Sequence, residues 1–193
     1  MLGDKSKVAD TTAVSVSQNG GVSAGVSGGG VFHVVCYDKE GNVKWTAESP
    51  NLVVNVGLQD MNDKYFSGSS YTAAWYIGLY GAAASNNPAA GDTMSSHAGW
   101  TENTTYSQAT RPACSFGSST AADPAVISNS ASPAAFSING TTTIGGAFLT
   151  SDNTKSGTTG ILFSASDFTS PGDRSVVSGD TINVTYTFSL AAT

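Results

Sequence analysis

Thr181-Ile182-Asn183-Val184-Thr185-Tyr186-Thr187-Phe188-Ser189-Leu190 alternates without a break. Ile182, Val184, Tyr186, Phe188 and Leu190 fall on one face, and Thr, Asn and Ser fill the other. A period of two is the signature of a β-strand with one face on a core and the other toward water or a partner. Thr on the outer face suits a pleated surface and brings no chemistry of its own. A strand this regular needs neighbours, and the rest of the chain supplies candidates.

Upstream, Val31 to Tyr37 reads as a strand, Asp38-Lys39-Glu40-Gly41-Asn42 as a turn, and Val43 to Ala47 as the returning arm of a hairpin. Pro50-Asn51 interrupts the pattern. One helix is expected over 56–66, with Leu58, Met61, Tyr65 and Phe66 on one face, Asn55 as its cap and Gly68 as its stop. Gly57 is expected to weaken its first turn. Ala73 to Tyr80 is apolar on both faces and reads as a central strand, and residues 81–112 read as a long loop region. Shorter strands are expected near 113–117, 125–129, 134–139, 143–150 and 160–165. Gly145-Gly146 inside one of them predicts a bulge or a close backbone approach. The fold class is therefore mainly β: an antiparallel β-sandwich, jelly-roll-like, with one short helix.

Two regions follow from composition. Residues 31–193 form the β-sandwich body. Residues 1–30 form an extended Gly/Ser-rich N-terminal arm punctuated by Val14, Val16, Val22 and Val26 and closing on Gly28-Gly29-Gly30. Alone, such a segment buries too little apolar area to offset its ordering entropy. Two readings stand: a free tail, or an arm held by another chain, its four valines in the partner's grooves and its backbone added to a sheet edge.

Charged residues make up 11% of the 193-residue chain, less than half the share usual for a soluble domain, while hydrophobic residues make up 39%. Such a neutral skin fits a surface packed among neighbours better than a freely diffusing enzyme. The net charge is −6 and the basic residues are scattered, which argues against binding nucleic acid or an anionic membrane. No stretch approaches the roughly 20 apolar residues of a membrane span. Cys36 and Cys114 match no metal-binding spacing and are expected as free thiols, so assembly in a reducing cell is expected.

Candidate chemistry is sparse. Gly21-Val22-Ser23-Ala24-Gly25 and Gly25-Val26-Ser27-Gly28-Gly29 match G-x-S-x-G, but neither sits between an apolar strand and a helix, as a nucleophile elbow must. Asp92, His97 and Glu102 cluster in the long loop, where capping and backbone hydrogen bonds account for them better than a metal or an acid–base pair. His33 is expected as a packing histidine. Trp45 and Trp100 are the candidates for stacking on a sugar, against the commoner role of aromatic packing. No catalytic residue, cofactor or metal is expected.

Several stretches resemble tailed-phage virion structural proteins: Trp45 to Gln59, Ala74-Trp75-Tyr76-Ile77-Gly78-Leu79, Ala90 to Glu102, Arg111-Pro112, Ser128-Asn129-Ser130, Ile144 to Leu149, and Ser178 to Tyr186. The likeness spans about residues 31–190 and leaves the arm uncovered. It implies a virion component, a capsid decoration (cement) protein with a sandwich fold and no enzyme activity. Its partners would be the major capsid protein and further copies of itself, as a homotrimer. Its place would be the capsid surface, after assembly in the bacterial cytoplasm. The alternative is a receptor- or glycan-binding module of a tail or head fibre, using Trp100 and Trp45. A depolymerising enzyme is the weakest option, since no pair of carboxylates is marked out for it.

Overall fold

The computed structural model describes residues 25–70, 74–81, 87–169 and 172–193. It is mainly β, with two antiparallel sheets packed as a sandwich. The first sheet contains β1 (Val26–Tyr37), β2 (Val43–Pro50), β6 (Ala125–Ser128), β7 (Ala134–Ser137) and β11 (Thr181–Ala192). Its order is β2-β1-β11, with β6 and β7 both lying along the far side of β11. The second contains β3 (Leu52–Val53), β4 (Tyr76–Gly81), β5 (Glu102–Asn103), β8 (Thr142–Thr150), β9 (Leu162–Asp167) and β10 (Arg174–Val176). Its order is β3-β9-β8-β4-β5, and β10 adds to β8.

The alternation at the end of the chain is realised as the centre of the first sheet. Phe32 stands opposite Tyr186, Val34 opposite Val184 and Cys36 opposite Ile182, and all six are fully buried. Directly opposed residues share a face, so these pairs form one inner wall. The second sheet answers with Ile77, Leu79, Ile144, Ala147 and Leu149. Phe163 and Phe188 meet edge-on across the gap at 5.5 Å. Among the polar links between the sheets, the Ser164 hydroxyl lies 3.3 Å from the Tyr186 hydroxyl.

The expected bulge and the expected close approach both occur at Gly145-Gly146. Tyr80 pairs with Gly146 and Gly81 with Ile144, so Gly145 is the extra residue on β8. A Cβ on Gly146 would lie 2.0 Å from Cζ of Tyr80, so only glycine admits that ring.

Other expectations are corrected. β1 begins at Val26, so the glycines 28–30 are strand residues paired to β11. Gly30 has no side chain because Tyr186 and Asn51 occupy the space one would need. The helix α1 (Asn55–Tyr65) is capped by Val54, with no side-chain cap. Asn55 is already helical and donates its N–H to the Ala90 carbonyl. Gly57 is the buried residue of α1 and lies on β9, where a Cβ would come 2.4 Å from the Phe163 carbonyl oxygen. The helix thus docks by its glycine, while Leu58, Tyr65 and Phe66 stand 49%, 83% and 79% exposed. Residues 113–117 make one bridge, Ala113 to Tyr76, in place of a strand. His33 is exposed on the outer face of the first sheet, in register with Glu48 and Thr185, rather than packed.

Candidate functional site

Two places warrant attention: the loop that carries Asp92, His97, Trp100 and Glu102, and the end of the sandwich where β1 begins. The loop lies on the outer face of the second sheet. Met94 and Trp100 seal that face against Tyr80, Phe148, Leu162 and Ala165 as a second small core. Trp100 is 3% exposed, and its indole N–H donates to Oδ2 of Asp92 at 3.0 Å. The same carboxylate oxygen accepts the Ala89 N–H. His97 stacks on Trp100 at 3.8 Å between ring centroids, with Nδ1 3.0 Å from the Trp100 carbonyl oxygen.

Glu102 turns elsewhere. Its two oxygens accept a fork of hydrogen bonds from Arg111, at 2.9 and 2.8 Å, and one from the Ser156 N–H. Arg111 is 1% exposed and also donates to the carbonyls of Asp152 and Gly157. Asp92, His97 and Glu102 therefore serve separate structural bonds and do not converge on a shared point. Among the described residues no group of three or more His, Cys, Asp or Glu side chains is placed to hold a metal ion. The Arg111 lock was missed in the sequence. A lone Arg-Pro gives no sign that a hairpin some forty residues on will close over it.

The two tryptophans offered as sugar platforms are corrected. Trp100 is sealed in the second core. Trp45 stands opposite Cys36, on the inward side of β2, and its ring packs against the main core. Its indole Nε1 is buried and has no hydrogen-bond partner. Trp100 thus offers no face to solvent, and Trp45 is half-buried with its ring against the core.

Of the four arm valines, Val14, Val16 and Val22 lie outside the described residues. Val26 opens β1, is 76% exposed and lines the mouth of an apolar groove of about 1160 Å³. The groove is also lined by Trp75, Phe116, Phe188 and Leu190, and by Met61 and Phe66 at the helix end. Phe188 and Leu190 belong to the inner face of β11, near its end, where Phe163 of the second sheet meets Phe188 edge-on. Among the described residues nothing closes this end of the sandwich: β4 starts at Tyr76, and the helix end contributes only Asp60 to Asn62 and Lys64 to Phe66 to the lining. The G-x-S-x-G match at residues 25–29 runs from Gly25, just before β1, into the strand, where Ser27 pairs with Ala191. The match at residues 21–25 falls almost wholly outside the described residues.

Both thiols are free and buried. Burial pushes Cys36 up to about 11, helped by the Asp180 charge, and Cys114 up to about 12. Neither is a poised nucleophile at neutral pH. Among the described residues no helix is long and apolar enough to cross a membrane. Comparison of the chain with protein-family models, with curated proteins and with solved structures gives no match in any of the three.

Proposed function

We propose that this chain is a non-enzymatic structural protein of a phage particle, a cement protein seated between capsomers on the capsid surface. It would assemble in the host cytoplasm, as a homotrimer, against the major capsid protein. The observation that carries this reading is the open end of the sandwich. There an apolar groove, the exposed Val26 and a stretch of β1 that runs past the end of β2 lie at the point where the N-terminal segment joins. Exposed apolar area of that kind is a feature of surfaces that meet other protein. The sparse charge and the Thr-lined outer face of β11 support the same reading. The fibre alternative loses both aromatic contacts named for it, because Trp100 is buried and Trp45 points inward.

Cryo-electron microscopy of the purified particle tests this. The expected result is density for the sandwich repeated across the whole shell, at the symmetry positions between capsomers. A handful of copies confined to the tail would refute it, as would absence from the particle.

A further inference from the structure

The two sheets differ in what lies over their outer faces. On the second sheet the loop carrying Met94 and Trp100 seals the face as a second small core. On the first sheet the outward side chains of β1, β2, β7 and β11 are exposed or half-buried, and none is buried. The register sets them in rows. Val31 has Pro50 on one side and Thr187 on the other, Val35 has Thr46 and Asn183, and His33 has Glu48 and Thr185. The strands beyond β11, Ala125–Ser128 and Ala134–Ser137, add no charge.

Apart from Glu48 and His33, which stand side by side, and Lys44, which pairs with Asp180 at 2.5 Å, this face is built of hydroxyl, amide and apolar side chains. The whole chain carries a net charge of −6. Like-charged copies repel one another, and they approach most easily where charge is absent. A hydroxyl both donates and accepts, so a face of this kind can meet an identical one without stranding a donor or an acceptor. Charged residues are likewise depleted from the centres of protein interfaces. β1 and β11 are each 12 residues long. At about 3.3 Å per residue and about 4.8 Å between strands, a sheet of that length and four strands wide presents roughly 750 Å². An interface of standard size takes about 800 Å² from each partner. The face is therefore large enough for one stable contact, and that contact would occupy nearly all of it.

We infer that copies of this chain meet through the outer face of the first sheet, with the hydroxyls of β11 and the side chains of Val31 and Val35 at the centre of the contact. The inference deepens the homotrimer proposed above by naming the surface that joins it. The apolar groove is lined by the inward residues Val26, Phe188 and Leu190, so it lies on the other side of the sheet and stays open to a different partner.

Analytical sedimentation of the full chain over a dilution series tests it. The unsubstituted chain is expected as an oligomer that dissociates on dilution. Val35→Asp with Thr187→Asp should raise the dissociation constant by at least ~100-fold, because carboxylates then face one another across the contact. Near-ultraviolet circular dichroism should show the fold retained, since both side chains point away from the core. Thr185→Arg is the second variant, should the first fail to fold, and is expected to act the same way. Leu58→Asp, on the helix where Leu58 is 49% exposed, should leave the oligomer intact. A monomer at every concentration would overturn the inference and the homotrimer with it, leaving another protein or a further segment of this chain as the cover of the face. An oligomer that persists in the face variants would overturn the inference and leave the homotrimer standing. Equal dissociation by Leu58→Asp would also overturn it, by moving the contact to the helix. None of these results bears on the cement role, which the particle itself decides.

Discussion

Replacing Arg111 with Met removes the donor side of a buried ion pair and leaves its acceptor in place. Arg111 is 1% exposed and the Glu102 side chain 7%, so neither group can recover its hydration without moving the loop. The guanidinium makes four hydrogen bonds, two to Glu102 and one each to the carbonyls of Asp152 and Gly157. Breaking a buried pair by removing one partner costs about 3–5 kcal/mol, most of it the penalty of a stranded charge. The apolar part of Met keeps contact with Phe148, over whose ring the guanidinium now sits at 5.3 Å. A loss of about 4 kcal/mol is therefore expected, a large share of the stability of an ordinary domain. With a urea slope of about 2 kcal/mol per molar, the unfolding midpoint should fall by about 2 M. The double variant Arg111→Met with Glu102→Leu removes both charges and should regain much of the loss. A single-variant loss below about 1 kcal/mol, or strict additivity across the cycle, would refute the argument that the pair is a desolvated lock.

Three further outcomes follow from particular contacts. Gly57→Ala improves intrinsic helix propensity by about 1 kcal/mol, yet it should lower the melting temperature, because the new methyl meets the Phe163 carbonyl oxygen at 2.4 Å; a rise in melting temperature would show that the helix does not dock by its glycine. Cys36 and Cys114, held up at about 11 and about 12, should both resist a thiol reagent at pH 8 in the folded chain and both react once it is unfolded, counted by absorbance. Asp167 is held above the ordinary carboxylate range by desolvation and by the nearby Asp173 charge. The unfolded state then loses its proton first as pH rises, so this group takes stability away from about pH 4 upward. Asp167→Asn should accordingly melt higher than the unsubstituted protein at pH 7, with the difference fading below about pH 4; no difference at pH 7 would count against it.

The strands written in simple alternation could be read directly. β11 was expected over 181–190 and runs from Thr181 to Ala192, and the hairpin of β1 and β2 falls where the turn at residues 38–42 puts it. The start of β1 was hidden because three glycines carry no apolar pattern, although they are small for a packing reason. Leu190 and Tyr186 press on Gly28 and Gly30. The helix is legible from its apolar stripe, but of that stripe only Met61 packs against the core, while Leu58, Tyr65 and Phe66 are exposed. What docks is Gly57, and a residue with no side chain leaves no trace in a hydrophobicity pattern. β3, β5 and β10 are two or three residues long and are defined by partners far along the chain. Trp100 could not be placed from sequence either. Whether a loop tryptophan stacks on a ligand or plugs a sheet depends on whether that sheet's outer face is apolar, and here Tyr80, Phe148 and Leu162 make it so.

The pairing of β1 with β11 also governs when the molecule can form. The two strands register from Val26 against Ala192 to Tyr37 against Thr181, so the earliest described strand waits for the latest. A ribosome adding about 5–20 residues per second would release the first hairpin several seconds before its central neighbour exists. During that interval Phe32, Val34 and Cys36 have half a wall to lean on. Contacts this far apart along the chain make for slow maturation. In a crowded cytoplasm the nascent hairpin would then be the part most exposed to premature pairing with other chains.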